Sequence, residues 1–157
     1  MELIIFDVDG TLVATRSGAT FRKSADDWEW LPGRLEKLQE LRSQKMKLAL
    51  ATNQGGVAFG YMQQEDILQE LMRMARDAHM VTGCLYVCYT HPKASIDRYR
   101  AEDQHRKPGP GMLLDAMVDF EASPDETLMV GDRKEDEQAA KNAGTDFMWD
   151  YEFFAED

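Results

Sequence analysis

The sequence predicts an α/β fold, in which helices flank a parallel sheet of about five strands. Short apolar runs alternate along the chain with longer segments whose apolar residues recur at helical spacing, and this order is typical of parallel sheets. The first run, Leu3-Ile4-Ile5-Phe6, is continuously apolar, as expected for a strand that is buried on both faces. No repeat, low-complexity tract or long Gly/Ser linker interrupts the sequence, so we expect a single domain over residues 1–157.

The elements of this Rossmann-like sheet follow from the same patterns. The predicted strands cover residues 3–6, 46–51, 85–89, 127–130 and 147–149. The predicted helices cover residues 33–44, 64–79, 110–120 and 133–142. The apolar stripe predicted for the second helix consists of Ile67, Leu68, Leu71, Met72 and Ala75. Residues 10–30 are a polar stretch, and the loop over residues 90–109 can accommodate a short helix near residues 94–99.

The composition excludes several classes of protein. Eighteen basic and 29 acidic residues give a formal net charge of −11, which weighs against nonspecific nucleic-acid binding but leaves room for a small contact surface. No apolar run approaches the roughly 20 residues of a membrane helix, so we expect no membrane partner. Glu2 stands where a signal peptide carries a base. Cys84 and Cys88 are the only cysteines, so we expect no disulfide framework and a cytoplasmic location.

Polar residues that can carry chemistry follow several of the predicted strands. The first strand ends in Asp7-Val8-Asp9-Gly10-Thr11, the second in Thr52-Asn53 and the fourth in Gly131-Asp132. The segment Arg106-Lys107-Pro108-Gly109-Pro110 opens the helix before the fourth strand. Because parallel sheets bind ligands outside the carboxyl ends of their strands, we expect these carboxylates, hydroxyls and cations to converge on one site.

Carboxylates that cluster in this way repel one another unless a cation joins them. Mg²⁺ prefers oxygen ligands and retains several waters, and Asp7 and Asp132 could each supply one oxygen. With Mg²⁺ and Lys107 beside it, Asp7 stays ionised and can act as a nucleophile. Asp9 could then donate a proton to a leaving oxygen and later take one from water. Gly10 lets backbone amides approach an anion closely.

Each of these signals has a simpler structural interpretation when it is taken alone. An Asp-x-Asp pair is usually a turn or a helix cap, Thr52-Asn53 a strand-end turn, and Lys107 a solvated loop cation. Asp132 before a helix is most simply an N-cap, which contributes about 1 kcal/mol. The order of all four signals along one predicted sheet edge favours the functional interpretation of the set.

These residues resemble the motifs of the haloacid dehalogenase (HAD) superfamily of phosphohydrolases, and the resemblance covers nearly the whole chain. The first motif, Asp-x-Asp-x-Thr, appears as residues 7–11, the second-motif threonine as Thr52, the third-motif lysine as Lys107, and the acidic fourth motif as residues 131–136. The resemblance implies a HAD-like hydrolase domain. The segments after the first two strands are too short for a large cap domain, so we expect an open site that screens substrates with loops.

The resemblance also implies a role for each motif residue. Asp7 would attack phosphorus and form an aspartyl-phosphate, and Asp9 would act as general acid and then as general base. The implied catalytic residues are Asp7, Asp9, Thr52 and Lys107. The implied substrate-binding residues are Gly10, Thr11, Asn53 and Arg106. The implied Mg²⁺ ligands are Asp7, the main-chain carbonyl of Asp9, and Asp132, with Asp136 supporting them.

At finer scale the resemblance points to two substrate classes. Residues 51–58 and 106–112 look like the histidinol-phosphate and heptose-bisphosphate phosphatases, whereas residues 15–21 look like the 3′-phosphatase domain of polynucleotide kinase-phosphatases. The first hypothesis is therefore a Mg²⁺-dependent phosphomonoesterase acting on a small phosphorylated metabolite, such as a sugar or amino-alcohol phosphate. The second is a 3′-phosphatase acting on DNA or RNA ends. The third is a non-enzymatic receiver-like module that is phosphorylated on Asp7, although a long-lived acyl phosphate has no use for a proton donor at Asp9.

Two further features leave alternatives open. The sugar-phosphatase relatives often carry a zinc loop, and Cys88, His91, Asp103 and His105 could form a tetrahedral zinc site at that place. The alternative that we favour is a reduced core cysteine with surface histidines. Trp28 and Trp30 could stack against a base, but such tryptophans more often fix a loop to the core.

Overall fold

The central sheet has five parallel strands, in a computed structural model that describes residues 1–155. The strands are β1 (Leu3–Phe6), β2 (Val13–Ala14), β3 (Glu29–Trp30), β4 (Lys47–Asn53), β5 (Leu85–Cys88), β6 (Thr127–Gly131) and β7 (Asp146–Trp149). The helices are α1 (Arg34–Ser43), α2 (Gly55–Ala58), α3 (Gln64–Asp77), α4 (Gly111–Asp119), α5 (Lys134–Ala143) and α6 (Asp150–Phe153), with 3-10 turns at Asp97–Tyr99 and Pro124–Glu126.

The strand order β5-β4-β1-β6-β7 places β1 in the middle of the sheet. Phe6, the last residue of β1, pairs with Leu50 on one side and with Val130 on the other. The chain builds the β4 side first and then crosses to β6, so the order reverses at β1. Ligands of open α/β sheets bind in the crevice at such a reversal, so this topology directs attention to the carboxyl end of β1.

Helices cover both faces of β1, as its continuous apolar sequence predicts. Ile4 and Phe6 belong to one core cluster, which also contains Leu38 of α1 and Leu71 of α3. Leu3 and Ile5 belong to a second cluster, which contains residues of α4 and α5 such as Leu113 and Ala140. The α/β class, the parallel sheet and the number of its strands are therefore as predicted.

The predicted apolar stripe of α3 is wrong in part. Ile67, Leu71 and Ala75 are buried, but Leu68 and Met72 are exposed, and Glu70 and Met74 take places on the inner face. A carboxylate can lie there because the indole Nε1 of Trp28 donates a hydrogen bond to Glu70 Oε1 at 2.9 Å, and a buried polar group is tolerated when it is hydrogen-bonded.

The polar stretch over residues 10–30 contains a small antiparallel hairpin that the sequence did not predict. Val13 of β2 pairs with Trp30 of β3 in a separate two-stranded sheet. Trp28 is buried and meets Trp30 edge to face at 5.7 Å. Because the indole of Trp28 is also bonded to α3, it fixes this segment to the core, as the favoured interpretation predicts.

Asp27 closes the loop between β2 and β3. Its carboxylate accepts hydrogen bonds from the Ser17 N–H at 2.8 Å, the Ser17 hydroxyl at 2.7 Å and the Lys23 N–H at 2.9 Å. These bonds, that of Lys23 above all, lower the pKa of Asp27 to about 2, because they stabilise the ionised form. An ionised Asp27 therefore holds the two arms of the loop together.

Two short helices, α2 and α6, also escaped prediction, and the described residues 1–155 include no separate cap domain between the strands of the sheet. Among those residues no helix combines the length and the apolar character needed to cross a bilayer.

Candidate active site

A buried ion pair between Asp7 and Lys107 lies at the carboxyl end of β1. Asp7 follows the strand directly, and Lys107 lies in the loop that leads into α4. Lys107 Nζ donates to Asp7 Oδ1 at 2.7 Å, to Asp136 Oδ1 at 2.6 Å and to the carbonyl of Ala51 at 2.9 Å. The lysine side chain is 3% exposed. All three ammonium protons are therefore used, and two carboxylates from distant parts of the chain share one cation.

Burial and ion pairing act in opposite directions on these groups. Burial raises the pKa of Asp7 to about 6, although the charge of Lys107 works against the rise. The pKa of Asp136 is also raised, chiefly by burial. Burial alone would lower the pKa of Lys107, but the charges of Asp7 and Asp136 outweigh it and raise that pKa above its ordinary value. The carboxylates at this point outnumber the single ammonium, so an additional cation would relieve the remaining repulsion.

Asp7, Asp132 and Asp136 can present oxygens to a common point. One carboxylate oxygen from each residue lies within 4.8 Å of the others. Opposite oxygen ligands of an octahedral Mg²⁺ are about 4.2 Å apart, so small side-chain movements would bring this all-oxygen set to the required spacing. The donor chemistry and spacing of these residues therefore fit a hard divalent cation.

Neighbouring groups hold the acids of this set in place. The hydroxyl of Thr11 lies 3.0 Å from Asp132 Oδ1 and 3.3 Å from Asp7 Oδ2. Asp136 Oδ2 accepts the main-chain N–H groups of Asp132 at 3.2 Å and Arg133 at 3.1 Å. The simple interpretation of Asp132 as the N-cap of α5 is wrong, because Arg133 occupies the cap position. Asp132 therefore remains free to face the acidic cluster.

Gly10 permits the close approach of the first and fourth motifs. Its φ of +87° lies in the left-handed region, which side chains with a Cβ rarely adopt. A Cβ at this position would lie 2.1 Å from Asp132 Oδ2. Both the backbone conformation and the nearby carboxylate therefore require glycine here.

Asp9 lies closer to solvent than Asp7 and is bound at both carboxylate oxygens. Oδ1 accepts a hydrogen bond from Arg22 Nε at 2.8 Å, and Oδ2 accepts one from Gln54 Nε2 at 2.9 Å. The Asp9 side chain is 38% exposed. Gln54 Nε2 also lies 2.9 Å from the hydroxyl of Thr52. The sequence indicated neither Arg22 nor Gln54, although Gln54 directly follows Thr52-Asn53 and could have been included with that motif.

The predicted substrate-binding residues on the other side of the site are linked to the lysine loop. The side-chain amide of Asn53 donates to the carbonyl of Lys107 at 3.0 Å, and its oxygen accepts the Lys107 N–H at 3.0 Å. Arg106 Nη1 donates to the carbonyl of Thr90 at 3.3 Å. These contacts attach the loop that carries Arg106 and Lys107 to the end of β4 and to the segment that follows β5.

A cleft of about 680 Å³ opens above these groups. Residues between 13 and 22 form one wall, and residues between 52 and 62 form much of the other, together with His91 and Arg106. The exposed rings of Phe21 and Tyr61 lie at this cleft, and Phe59 packs against Tyr61 at 6.3 Å and against His91 at 4.9 Å.

The structure brings together all the residues that the sequence singled out for the active site. Eight of them line the cleft: Asp7, Asp9, Gly10, Thr52, Asn53, Arg106, Lys107 and Asp136. The other two, Thr11 and Asp132, are bonded to each other beside Asp7.

Cys88, one of the candidate zinc ligands, takes part in a hydrogen-bonded group instead. Its Sγ lies 3.2 Å from the hydroxyl of Thr90 and 3.9 Å from Asp103 Oδ2. The Thr90 hydroxyl donates to the same Asp103 oxygen at 3.0 Å. Threonine therefore bridges the two candidate ligands.

Of the two candidate histidines, His105 contacts the candidate Asp103, whereas His91 has other partners. His105 Nδ1 lies 3.0 Å from Asp103 Oδ1, and its Nε2 lies 2.8 Å from Asp115 Oδ2, so both of its ring nitrogens are engaged. His91 packs on Phe59 and accepts the N–H of Lys93 at 2.9 Å. Within residues 1–155 the group of side chains that could hold a metal ion is Asp7, Asp132 and Asp136, and it includes none of these four candidates.

Comparisons with known proteins bear on this site. A family model described as polynucleotide kinase 3 phosphatase matches residues 2–156. The D-glycero-beta-D-manno-heptose-1,7-bisphosphate 7-phosphatase of Photorhabdus laumondii is 34% identical over 140 residues, which are 87% of this chain and 73% of that protein. The protein of the same name from Pasteurella multocida is 34% identical over 145 residues, 90% of this chain and 77% of that protein.

Solved structures also resemble this chain. A D,D-heptose 1.7-bisphosphate phosphatase from B. bronchiseptica, complexed with magnesium and phosphate, matches with a TM-score of 0.75 and 31% identity, covering 94% of this chain and 79% of that one. A HAD-like protein from Mesorhizobium loti shares the fold, with a TM-score of 0.77 at 23% identity, covering 92% of this chain and 69% of that one. The chain therefore belongs to the polynucleotide kinase 3 phosphatase family and is a capless phosphatase of the haloacid dehalogenase superfamily.

Proposed function

We propose that this phosphatase is a Mg²⁺-dependent phosphomonoester hydrolase that acts on a small sugar phosphate through an aspartyl-phosphate at Asp7. The observation that carries the proposal is the placement of Asp7 at the floor of an open cleft, where it is bonded to Lys107 and lies beside Asp132 and Asp136. A carboxylate in this setting can serve as a nucleophile because the neighbouring cations stabilise its charged form.

The first half of the reaction transfers the phosphoryl group to the enzyme. A carboxylate oxygen of Asp7 attacks phosphorus, the new Asp7–phosphorus bond forms, and the bond from phosphorus to the leaving oxygen breaks. Asp9 donates its proton to that oxygen, so that the sugar leaves as an alcohol. The Thr52 hydroxyl and the Asn53 N–H would hold the phosphoryl oxygens, where charge is spread in the transition state. Lys107 would join them by exchanging one of its three present hydrogen bonds for one to a phosphoryl oxygen.

The second half releases inorganic phosphate. Asp9, now ionised, takes a proton from water, and the water oxygen attacks phosphorus as the bond to Asp7 breaks. The Mg²⁺ ligands in this proposal are Asp7, Asp132 and the main-chain carbonyl of Asp9, with Asp136 in support. Bound Mg²⁺ would supply charge stabilisation on the phosphoryl oxygens.

The sugar-phosphate class is supported by the relatives, several of which are named as heptose-1,7-bisphosphate phosphatases. The net charge of −11 also favours a small substrate over a long polyanion. Cations that line the cleft, among them Arg106, Lys107 and Arg133, would attract an anionic metabolite locally.

A polynucleotide 3′ end is the second candidate substrate. It is supported by the family match and by the exposed rings of Phe21 and Tyr61 at the cleft, because base-aromatic stacking stabilises single-stranded nucleic acids by about 1–3 kcal/mol per base.

A substrate panel tests this ranking. Phosphate release is measured with Mg²⁺ from heptose and hexose mono- and bisphosphates and from a 3′-phosphorylated oligonucleotide, with an EDTA control. We expect the highest kcat/KM for a sugar phosphate, and no turnover with Asp7→Asn. A higher kcat/KM for the oligonucleotide would select the second candidate.

The receiver-like alternative is tested with Asp9→Asn and acetyl phosphate as phosphoryl donor. If the protein is a hydrolase, the wild type should lose the aspartyl-phosphate rapidly. The Asp9→Asn protein should retain it long enough for mass spectrometry to locate it at Asp7. Equal lifetimes in both proteins would support a signalling module instead.

A cytoplasmic location remains part of the proposal. Cys84 and Cys88 are both free and buried, and burial raises the pKa of the Cys84 thiol to about 11. Reduced cysteines of this kind are typical of the cytoplasm. Fractionation of cells that express the protein would test the location.

A further inference from the structure

Arg22 is a buried cation in the loop between β2 and β3, outside the motifs of the superfamily. Its side chain is 3% exposed. Nη1 donates to the carbonyl of Ala25 at 3.1 Å, within the same loop, and Nε donates to Asp9 Oδ1 at 2.8 Å. The loop itself is closed by Asp27, which accepts the N–H of the neighbouring Lys23. The loop therefore fixes the guanidinium, and the guanidinium fixes the Asp9 carboxylate.

Gln54 holds the same carboxylate from a different element. It lies between β4 and α2, and its Nε2 donates to Asp9 Oδ2 at 2.9 Å. The two oxygens of Asp9 are thus bound by side chains from two different segments of the chain, both of which line the cleft. Since a partly exposed aspartate otherwise rotates about two side-chain torsions, these two bonds determine where its carboxylate points.

Stability alone does not account for a buried arginine at this position. Arg22 Nη2 is buried and has no hydrogen-bond partner among residues 1–155, and an unpaired buried donor costs free energy. An apolar side chain of similar length would fill the space without that cost. Of the two bonds that the arginine makes, the one to Ala25 stays within its own loop, and the one to Asp9 reaches the site.

We propose that Arg22 is a positioning residue that aims Asp9 at the leaving-group oxygen. The inference rests on the proposed role of Asp9 as proton donor. It means that a loop lining the substrate cleft also determines where the proton donor lies. Misplacement of a catalytic group by about 1 Å can lower a rate about 100-fold, so loss of this bond should lower turnover wherever proton donation is needed.

The test uses aryl phosphates whose leaving groups differ in basicity. Phenyl phosphate needs a proton on its leaving oxygen, whereas p-nitrophenyl phosphate releases a stable phenolate. We expect Arg22→Met to lower kcat/KM for phenyl phosphate about 100-fold and to change it little for p-nitrophenyl phosphate. Arg22→Lys, which retains a cation for Asp9, should recover part of the loss.

Two further variants separate positioning from other roles. Lys23→Met removes an exposed cation from the same loop and should leave the dependence on leaving group as in the wild type. Asp9→Asn should give the same steep dependence as Arg22→Met, and the double variant should lose no more than Asp9→Asn alone, since Arg22 acts through Asp9.

Equal losses on both aryl phosphates, or a rise in KM alone, would overturn the proposal and make Arg22 a structural or phosphate-binding residue. Additive losses in the double variant would also overturn it. A fold defect in Arg22→Met would appear as a lower unfolding temperature. The two aryl phosphates would then be compared with the Arg22→Lys variant instead. Failure of the proposed function is distinct, because it would appear as turnover that persists in Asp7→Asn.

Discussion

The two aspartates of the first motif are separated by one residue and lie in contrasting surroundings. Asp7 is buried at the end of β1 and is bonded to a lysine whose protons are all in use. Asp9 is 38% exposed and is bonded to side chains of two cleft walls. The sheet thus determines the position of Asp7, and loops determine that of Asp9. The difference teaches that two residues of one motif can be positioned by different parts of the fold, one by the sheet and the other by loops.

Replacement of Asp7 by Asn should have the largest effect. The amide keeps the size of the side chain but cannot serve as the proposed nucleophile, so turnover should fall on the order of 10⁴-fold or more. Phosphate release with the best substrate of the panel measures this loss, and circular dichroism shows whether the fold is retained. Residual activity above a tenth of the wild-type activity would contradict the assignment of Asp7 as the nucleophile.

Replacement of Lys107 by Met should destabilise the floor itself. Asp7 and Asp136 would remain buried without their shared cation, and breaking a buried pair in this way costs about 3–5 kcal/mol. Urea denaturation measures the free energy of unfolding, and Mg²⁺ should restore part of it because it binds the folded acids. The exposed Lys93→Met is the control. A loss below about 1 kcal/mol would show that the pair contributes little.

Replacement of Gly10 by Ala tests the contact between the first and fourth motifs. Both Gly10 and Gly18 have a positive φ, but only at Gly10 would a Cβ meet Asp132, since nothing lies within 4 Å at Gly18. Each substitution should cost about 1–3 kcal/mol of backbone strain. Only Gly10→Ala should raise the Mg²⁺ concentration needed for half-maximal turnover. A similar Mg²⁺ requirement in both variants would contradict the placement of Asp132 at the metal.

The smallest effect is expected at His105, whose side chain is 49% exposed. The hydrogen bond to Asp103, followed by that to Asp115, raises the pKa of His105 above its ordinary value of 6.5. A raised pKa means that the contribution to stability is complete below pH 6.5 and is lost as the pH rises through the folded-state pKa. The stability difference between the wild type and His105→Gln should therefore shrink with increasing pH, from at most about 1 kcal/mol. A stability difference that is constant with pH would contradict the raised pKa of His105.

The sheet and the motif residues could be predicted because both depend on local sequence. A continuous apolar run such as Leu3–Phe6 is a strand in a parallel sheet, and polar residues after such strands meet at one edge. Asp7 and Asp132 follow this rule, and Thr52 lies in the last two residues of β4, which runs two residues beyond its predicted end. The register of the parallel strands then brings these residues together at one edge of the sheet.

The features that escaped prediction depend on contacts across the fold. The strands β2 and β3 have two residues each, too few for a periodic signal. Glu70 faces inward only because Trp28 donates to it. Arg22 reaches Asp9 only because the loop bends back through bonds to Asp27, and no sequence spacing encodes that path.

The bonds of Asp27 to both Ser17 and Lys23 separate the tip of the loop from its base. The segment between these two bonds is residues 18–22, which carries the exposed ring of Phe21 and ends at Arg22, the partner of Asp9. Side chains at residues 18–21 can be exchanged while Arg22 keeps its bond to Asp9. We therefore expect changes at residues 18–21 to alter substrate preference without altering the chemistry at the floor of the cleft.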